Sequence, residues 1–178
     1  EGTVCYSGDM LNPKKKYNLK YYLALVDELV KMDIDVLGIK DMAGLLKPAQ
    51  ARVLVKALKE ETGLPVHFHT HDTSGISASS VIAAAEAGVD AADAAMDSFS
   101  GLTSQPNLGS IVEAMRFGER ETGLEPAVIR QFSDYWEAVR RRYGAFESDL
   151  RFGASEVYLH EMPGGQFTNL REQARSLG

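Results

Sequence analysis

Apolar residues recur along this chain in two alternating rhythms. Short runs of strand formers are "GTVCYS" (Gly2–Ser7), "IDVLGIKD" (Ile34–Asp41), "LPVHFHTHD" (Leu64–Asp72) and a weaker "VDAADAAMDS" (Val89–Ser98). Between them lie stretches with apolar positions at helical spacing. In "YNLKYYLALVDELVKMD", Tyr22, Leu25, Val26 and Leu29 share one face, and Asn18 suits the N-cap. "LKPAQARVLVKALKEETG" has Pro48 for its first turn and Gly63 for its stop. "ISASSVIAAAEAG" ends at Gly88, and "NLGSIVEAMRFGERETG" is a fourth helix. Regular βα alternation predicts a parallel sheet in an α/β protein.

Two architectures answer to that pattern: an open doubly wound sheet, or part of a (β/α)8 TIM barrel. No GxGxxG or Walker-type loop follows any of the strands. Polar chemistry instead crowds the carboxyl ends: Lys40-Asp41, His69-x-His71-Asp72, and Asp97-Ser98 followed by "SGLTSQP". A barrel carries its active site at that end, so the reading is a barrel. Four units make half of one. Together with a first residue that is not Met, this predicts a segment of a longer protein, comprising about the last four βα units. Residues 1–125 are then the second half of the barrel, and 126–178 an incomplete helical extension. In that extension Tyr135 and Trp136 are expected to pack against the barrel. Arg140 to Arg142 form a solvated basic face, and Met162 to Gly165 a tight loop between helices. Half a barrel leaves two sheet edges unpaired, so the isolated chain is expected to be marginally stable or to aggregate.

Net charge is −6, which weighs against nucleic-acid and acidic-membrane partners. No apolar run approaches the ~20 residues of a membrane span. The single cysteine, Cys5, rules out an intrachain disulfide and reads as core. Three of the four histidines form H-x-H-x-H in "HFHTH". Residues two apart on a strand share a face, so His67, His69 and His71 point the same way. His69 and His71 lie nearer the mouth, where two imidazoles can reach one ion. His67, deeper, is expected to be structural or to support the others. A polar interior layer of histidines is the competing account. Lys40 ends an apolar strand, where burial would favour its neutral amine. A Schiff base, a general base, a carbamate ligand formed with CO2, or an ion pair with Asp41 or Asp72 all remain open for it.

Five stretches in order, "GIKDMAGLLKP", "VHFHTHDTSG", "AAEAGVD", "SGLTSQP" and "EVYLHEMPGGQFTNL", resemble the carboxyltransferase domain of the pyruvate carboxylase family over nearly the whole chain. The resemblance implies transfer of CO2 from carboxybiotin to pyruvate, giving oxaloacetate. It implies one metal, Mn or Zn, held by carbamylated Lys40, His69, His71 and an aspartate in a "DATxRDAHQS"-like motif that this sequence does not contain. Asp41 and Asp72 do not match that aspartate. The family's proton-shuttling threonine sits in a "KVTPSSK"-like motif. That motif is not found here, and Thr168 belongs to "GGQFTNL". The family's pyruvate-clamping arginine is likewise not found. Biotin and ATP would be handled by other domains of a homotetrameric parent, in the bacterial cytoplasm or the mitochondrial matrix. The alternatives are a subunit of the oxaloacetate decarboxylase α or transcarboxylase 5S type, another metal-dependent lyase of the same barrel, or an inactive fragment.

Overall fold

The computed structural model describes residues 1–177. Four parallel strands, β1 (Gly2–Cys5), β2 (Leu37–Asp41), β3 (Val66–Thr70) and β4 (Ala91–Ala92), pair in the order β1-β2-β3-β4. Helices α1 (Leu19–Val30), α2 (Pro48–Thr62) and α3 (Ser77–Glu86) connect them, and α4 (Leu108–Met115) follows β4. Each helix packs on the next, α1 on α2, α2 on α3, and α3 on α4. Crossovers between parallel strands are right-handed, so a strand order that never reverses keeps every helix on one face. A doubly wound sheet reverses its order and covers both faces. The molecule is therefore an arc of a (β/α)8 barrel.

Alternation along the strands separates two environments. Val4, Leu37, Ile39, Val66 and Phe68 face the helices and are buried with Tyr22, Val26, Leu54, Leu58 and Ala84. Burying each large side chain of this layer stabilises by roughly 1.5–3 kcal/mol. Thr3, Cys5, Lys40, His67 and His69 alternate onto the concave face and are exposed or half-buried. Cys5 is thus not core: the pleat turns it away from the helices. Lys40 is not buried either: the same alternation leaves it exposed.

The helix signals hold where their chemistry is local. The Asn18 side chain accepts from Tyr21 N at 3.1 Å, Pro48 opens α2, and Gly63 closes it in the left-handed conformation at φ 66°. Two expectations need correction. β4 has only two residues, although Ala95 bridges to Asn107 in parallel further on. Its alanines give little side chain to pack, and Asp90 and Asp93 spend their carboxylates on neighbours. The fourth helix stops at Met115, since Arg116 turns extended and Phe117 takes φ +63°.

After α4 the alternation ends. Helix α5 (Pro126–Arg142) packs on α4 and on the 3-10 turn at Asp97–Phe99, and α6 (Val157–His160) and α7 (Gly164–Ser176) follow. Trp136 meets Phe99 edge-on at 6.0 Å between centroids, as expected for packing on the barrel, whereas Tyr135 is 60% exposed and does not anchor α5. Arg140 is not merely solvated: it reaches the Ser98 carbonyl and pairs with Glu147 at 2.6 Å. The tail returns to the carboxyl end of the sheet. Gly164 N donates to Met42 O at 3.1 Å, and Ala154 N donates to Thr73 O at 2.9 Å. No helix among the described residues is long and apolar enough to cross a membrane.

Candidate active site at the carboxyl end of the strands

Register places Cys5, Lys40 and His69 side by side on β1, β2 and β3, with Thr3, Gly38 and His67 in the row below. His71 lies one residue past β3, so its position comes from the β3–α3 loop and not from the pleat. Two contacts fix that loop. Gly44 sits at φ +69°, and a Cβ there would collide with the His71 carbonyl oxygen. Asp72 N donates to Ser104 O at 2.8 Å.

The two mouth histidines are oriented by acceptors. His69 Nδ1 lies 2.6 Å from Asp93 Oδ2, and His71 Nδ1 lies 2.7 Å from Thr103 O. A carboxylate and a carbonyl only accept, so both Nδ1 atoms carry the proton. That leaves two Nε2 lone pairs facing each other at 3.2 Å. Two acceptors so placed repel unless a metal ion or a proton lies between them. Two nitrogens each about 2.0 Å from one tetrahedral ion would stand ~3.3 Å apart, so the pair fits a metal. Among the described residues no three His, Cys, Asp or Glu side chains form a metal cage, so any ion here draws further donors. Lys40 is the neighbour of His69 in register and makes no ion pair within 4.0 Å with any described residue.

The nearby aspartates divide by role. Asp41 alternates to the helix side, fully buried, and accepts from Leu45 N and Leu46 N at 2.8 Å and from Thr70 Oγ1 at 2.9 Å. Burial holds its carboxyl above the usual range against those three bonds. Asp72 accepts from Ser77 N at the start of α3, and burial raises its pKa too. Neither pairs with Lys40. Asp93, which the sequence reading passed over, bridges His69 and, through Oδ1 at 2.9 Å, His67 Nε2. Burial opposes charge on both His67 and Asp93, but their hydrogen bond, helped by Glu1 on His67 and by His69 on Asp93, raises the imidazole and lowers the carboxyl. The one sequence signal for Asp93 is an acid in an alanine-rich strand, two residues past the pairing of Ala91 with His67. "SGLTSQP" holds His71 through the Thr103 carbonyl, a backbone role that residue types do not disclose.

A βα-barrel arc that gathers its polar side chains at the carboxyl ends of the strands has the layout of a barrel enzyme. The chain belongs to the HMGL-like family, which matches residues 11–135. It is similar over its whole length to pyruvate carboxylases: 56% identical to that of Aspergillus terreus and 47% to that of Bacillus subtilis. It spans 15% and 16% of those two proteins. The carboxyl transferase domain of Rhizobium etli pyruvate carboxylase, solved with pyruvate and with 3-hydroxypyruvate, superposes at TM-score 0.98 with 68% identity. All of this chain and 30% of that one are covered.

Proposed function

We propose that this chain is the carboxyl-terminal part of the carboxyltransferase barrel of a biotin-dependent pyruvate carboxylase, moving CO2 from carboxybiotin to pyruvate to give oxaloacetate. One observation carries the reading. The segment that matches the Rhizobium etli domain from end to end also aims two imidazole lone pairs at one point beside Lys40. Residues 1–125 would form the barrel portion and 126–178 the helical extension.

His69, His71 and Lys40 would hold one divalent Mn or Zn ion, with Lys40 as its carbamate. An amine exposed on the concave face is open to CO2, and the product is a carboxylate-like donor next to His69. Bound there, the ion would stabilise negative charge developing on the enolate of pyruvate. The chain's own residues bind and orient. His69 and His71 keep their protons on Nδ1, away from the reacting side, and the helix layer excludes water from behind the strands. Proton exchange with the pyruvate methyl needs a further group, as does the clamp on its carboxylate. Biotin, ATP and the remaining barrel strands belong to the rest of the parent, for which a homotetramer in the bacterial cytoplasm or the mitochondrial matrix is proposed.

The test uses the full-length protein. ATP, bicarbonate and pyruvate should yield oxaloacetate, read by coupled reduction to malate, with streptavidin detecting the biotin. Lys40→Ala and His71→Ala should each remove bound metal and carboxyl transfer while leaving biotin carboxylation intact. A biotin-free product that decarboxylates oxaloacetate would replace this reading with a decarboxylase subunit.

A further inference from the structure

We propose that Asp93 is the positioning residue of the histidine pair, holding His69 in the tautomer and rotation that present its Nε2 to the point His71 also faces. The inference rests on the metal reading above and adds a residue to it. Three observations point to it. First, Asp93 uses both oxygens on histidines, Oδ2 on His69 Nδ1 at 2.6 Å and Oδ1 on His67 Nε2 at 2.9 Å. The second bond prevents the carboxylate from rotating out of the first, so His67 acts as its brace, with Glu1 near the other nitrogen of that ring at 3.2 Å.

Second, the carboxylate holds no backbone group among the described residues. Asp41 and Asp90 each accept backbone N–H groups, from Leu45, Leu46 and Val66, and so hold the chain itself. Asp93 enters the sheet only through its own backbone N–H, which donates to Phe68 O at 3.0 Å. Its carboxylate is 41% exposed on the concave face and meets only the two imidazoles.

Third, His71 has an equivalent device of different origin, the Thr103 carbonyl at 2.7 Å. Each ring is thus fixed from behind by one oxygen, and the two lone pairs converge at 3.2 Å. A backbone carbonyl cannot be lost by mutation, but Asp93 can. Carboxylates behind a metal-binding histidine set both its tautomer and its basicity, and their removal weakens metal binding by roughly ten- to a hundredfold.

The experiment compares full-length wild type, Asp93→Ala, Asp93→Asn and Asp90→Asn, each loaded with Zn or with Co. Asp90→Asn removes the Lys59 pair and weakens the bond to Val66 N without touching a histidine, so it reports a purely structural loss. Metal content, the rate of metal loss to a chelator and the visible spectrum of the Co form are read alongside thermal unfolding. Asp93→Ala should shed metal roughly ten- to a hundredfold faster and alter the Co spectrum. Asp93→Asn keeps one acceptor and should fall between. Asp90→Asn should lower the melting temperature with metal retention unchanged. Wild-type retention and spectrum in Asp93→Ala overturn the inference while the proposed function stands. Equal metal loss in Asp90→Asn and Asp93→Ala overturns it as well. A wild type that holds metal but transfers no carboxyl group overturns the function and leaves Asp93 to be judged on retention. A wild type that holds none overturns both.

Discussion

Replacing Gly44 with alanine separates two costs that usually come together. Gly44 has φ +69°, and an added Cβ would run into the carbonyl oxygen of His71. The left-handed conformation costs a non-glycine residue roughly 1–2 kcal/mol. The obstacle is backbone on the neighbouring loop, not the tip of a flexible side chain, so relief needs a shift of the His71–Asp72 segment. Overpacking of this kind adds roughly 1–3 kcal/mol. Gly63 supplies the comparison. It has nearly the same φ, +66°, and a Cβ there meets nothing within 4 Å. Gly63→Ala should therefore cost only the conformational part, and Gly44→Ala about 2–5 kcal/mol in all. The assay is urea unfolding of the whole carboxyltransferase domain, followed by circular dichroism. Amide exchange at Asp72, whose N–H bonds Ser104 O at 2.8 Å, reports loop displacement beside it. Equal destabilisation by the two substitutions, with unchanged exchange at Asp72, would refute the reasoning.

Three further outcomes are expected. Tyr22→Phe should destabilise by about 1–3 kcal/mol in the same unfolding assay, because the buried hydroxyl both accepts from Ser7 N and donates to Ser7 O, and its loss leaves two backbone groups unpaired. The hydrogen bond from Lys47, aided by Gln50 and opposed by burial, lowers the Asp9 carboxyl. A depressed acid contributes stability that is present above its unfolded pKa of about 3.9 and lost as pH falls through the folded value. Wild type should thus lose stability to acid more steeply than Asp9→Asn, and parallel pH–stability curves would contradict this. Residues 1–178 expressed alone should aggregate, because β1 and β4 are unpaired edges and the concave face is open; a monomeric sample melting cooperatively, seen by light scattering and calorimetry, would count against it.

What could be read from the sequence was whatever has a local cause. Asn18, Pro48 and Gly63 mark helix ends through their own side chains or backbone freedom, and the alternation in "VHFHT" sets which way His67 and His69 face. That Lys40 and His69 share the concave face follows from strand parity, whereas His71 lies past β3 and takes its place from the loop. The rest depends on distant partners. That Asp41 faces the helices follows from its parity with Ile39, yet its three donors come from a loop and a neighbouring strand. Cys5 looks like a core residue by composition and is turned outward by the same parity. Asp93 and the Thr103 carbonyl declare nothing until β4 and the following loop are placed beside β3. β4 itself was overread, because alanines satisfy an apolar pattern without supplying the contacts that extend a strand.

The tail that bonds to Met42 and Thr73 has a consequence for the order of events on the ribosome. Domains acquire structure progressively as the chain emerges. The strands carrying Lys40 and His69 are made before the tail, and the helices that cover them follow directly. The loops beyond those strands wait for Ala154 and Gly164, which appear only after all four βα units have been synthesised. Such long-range pairings form late because their chain closure must first be met. In each newly made molecule the scaffold would be in place before the loops that complete the site come to rest.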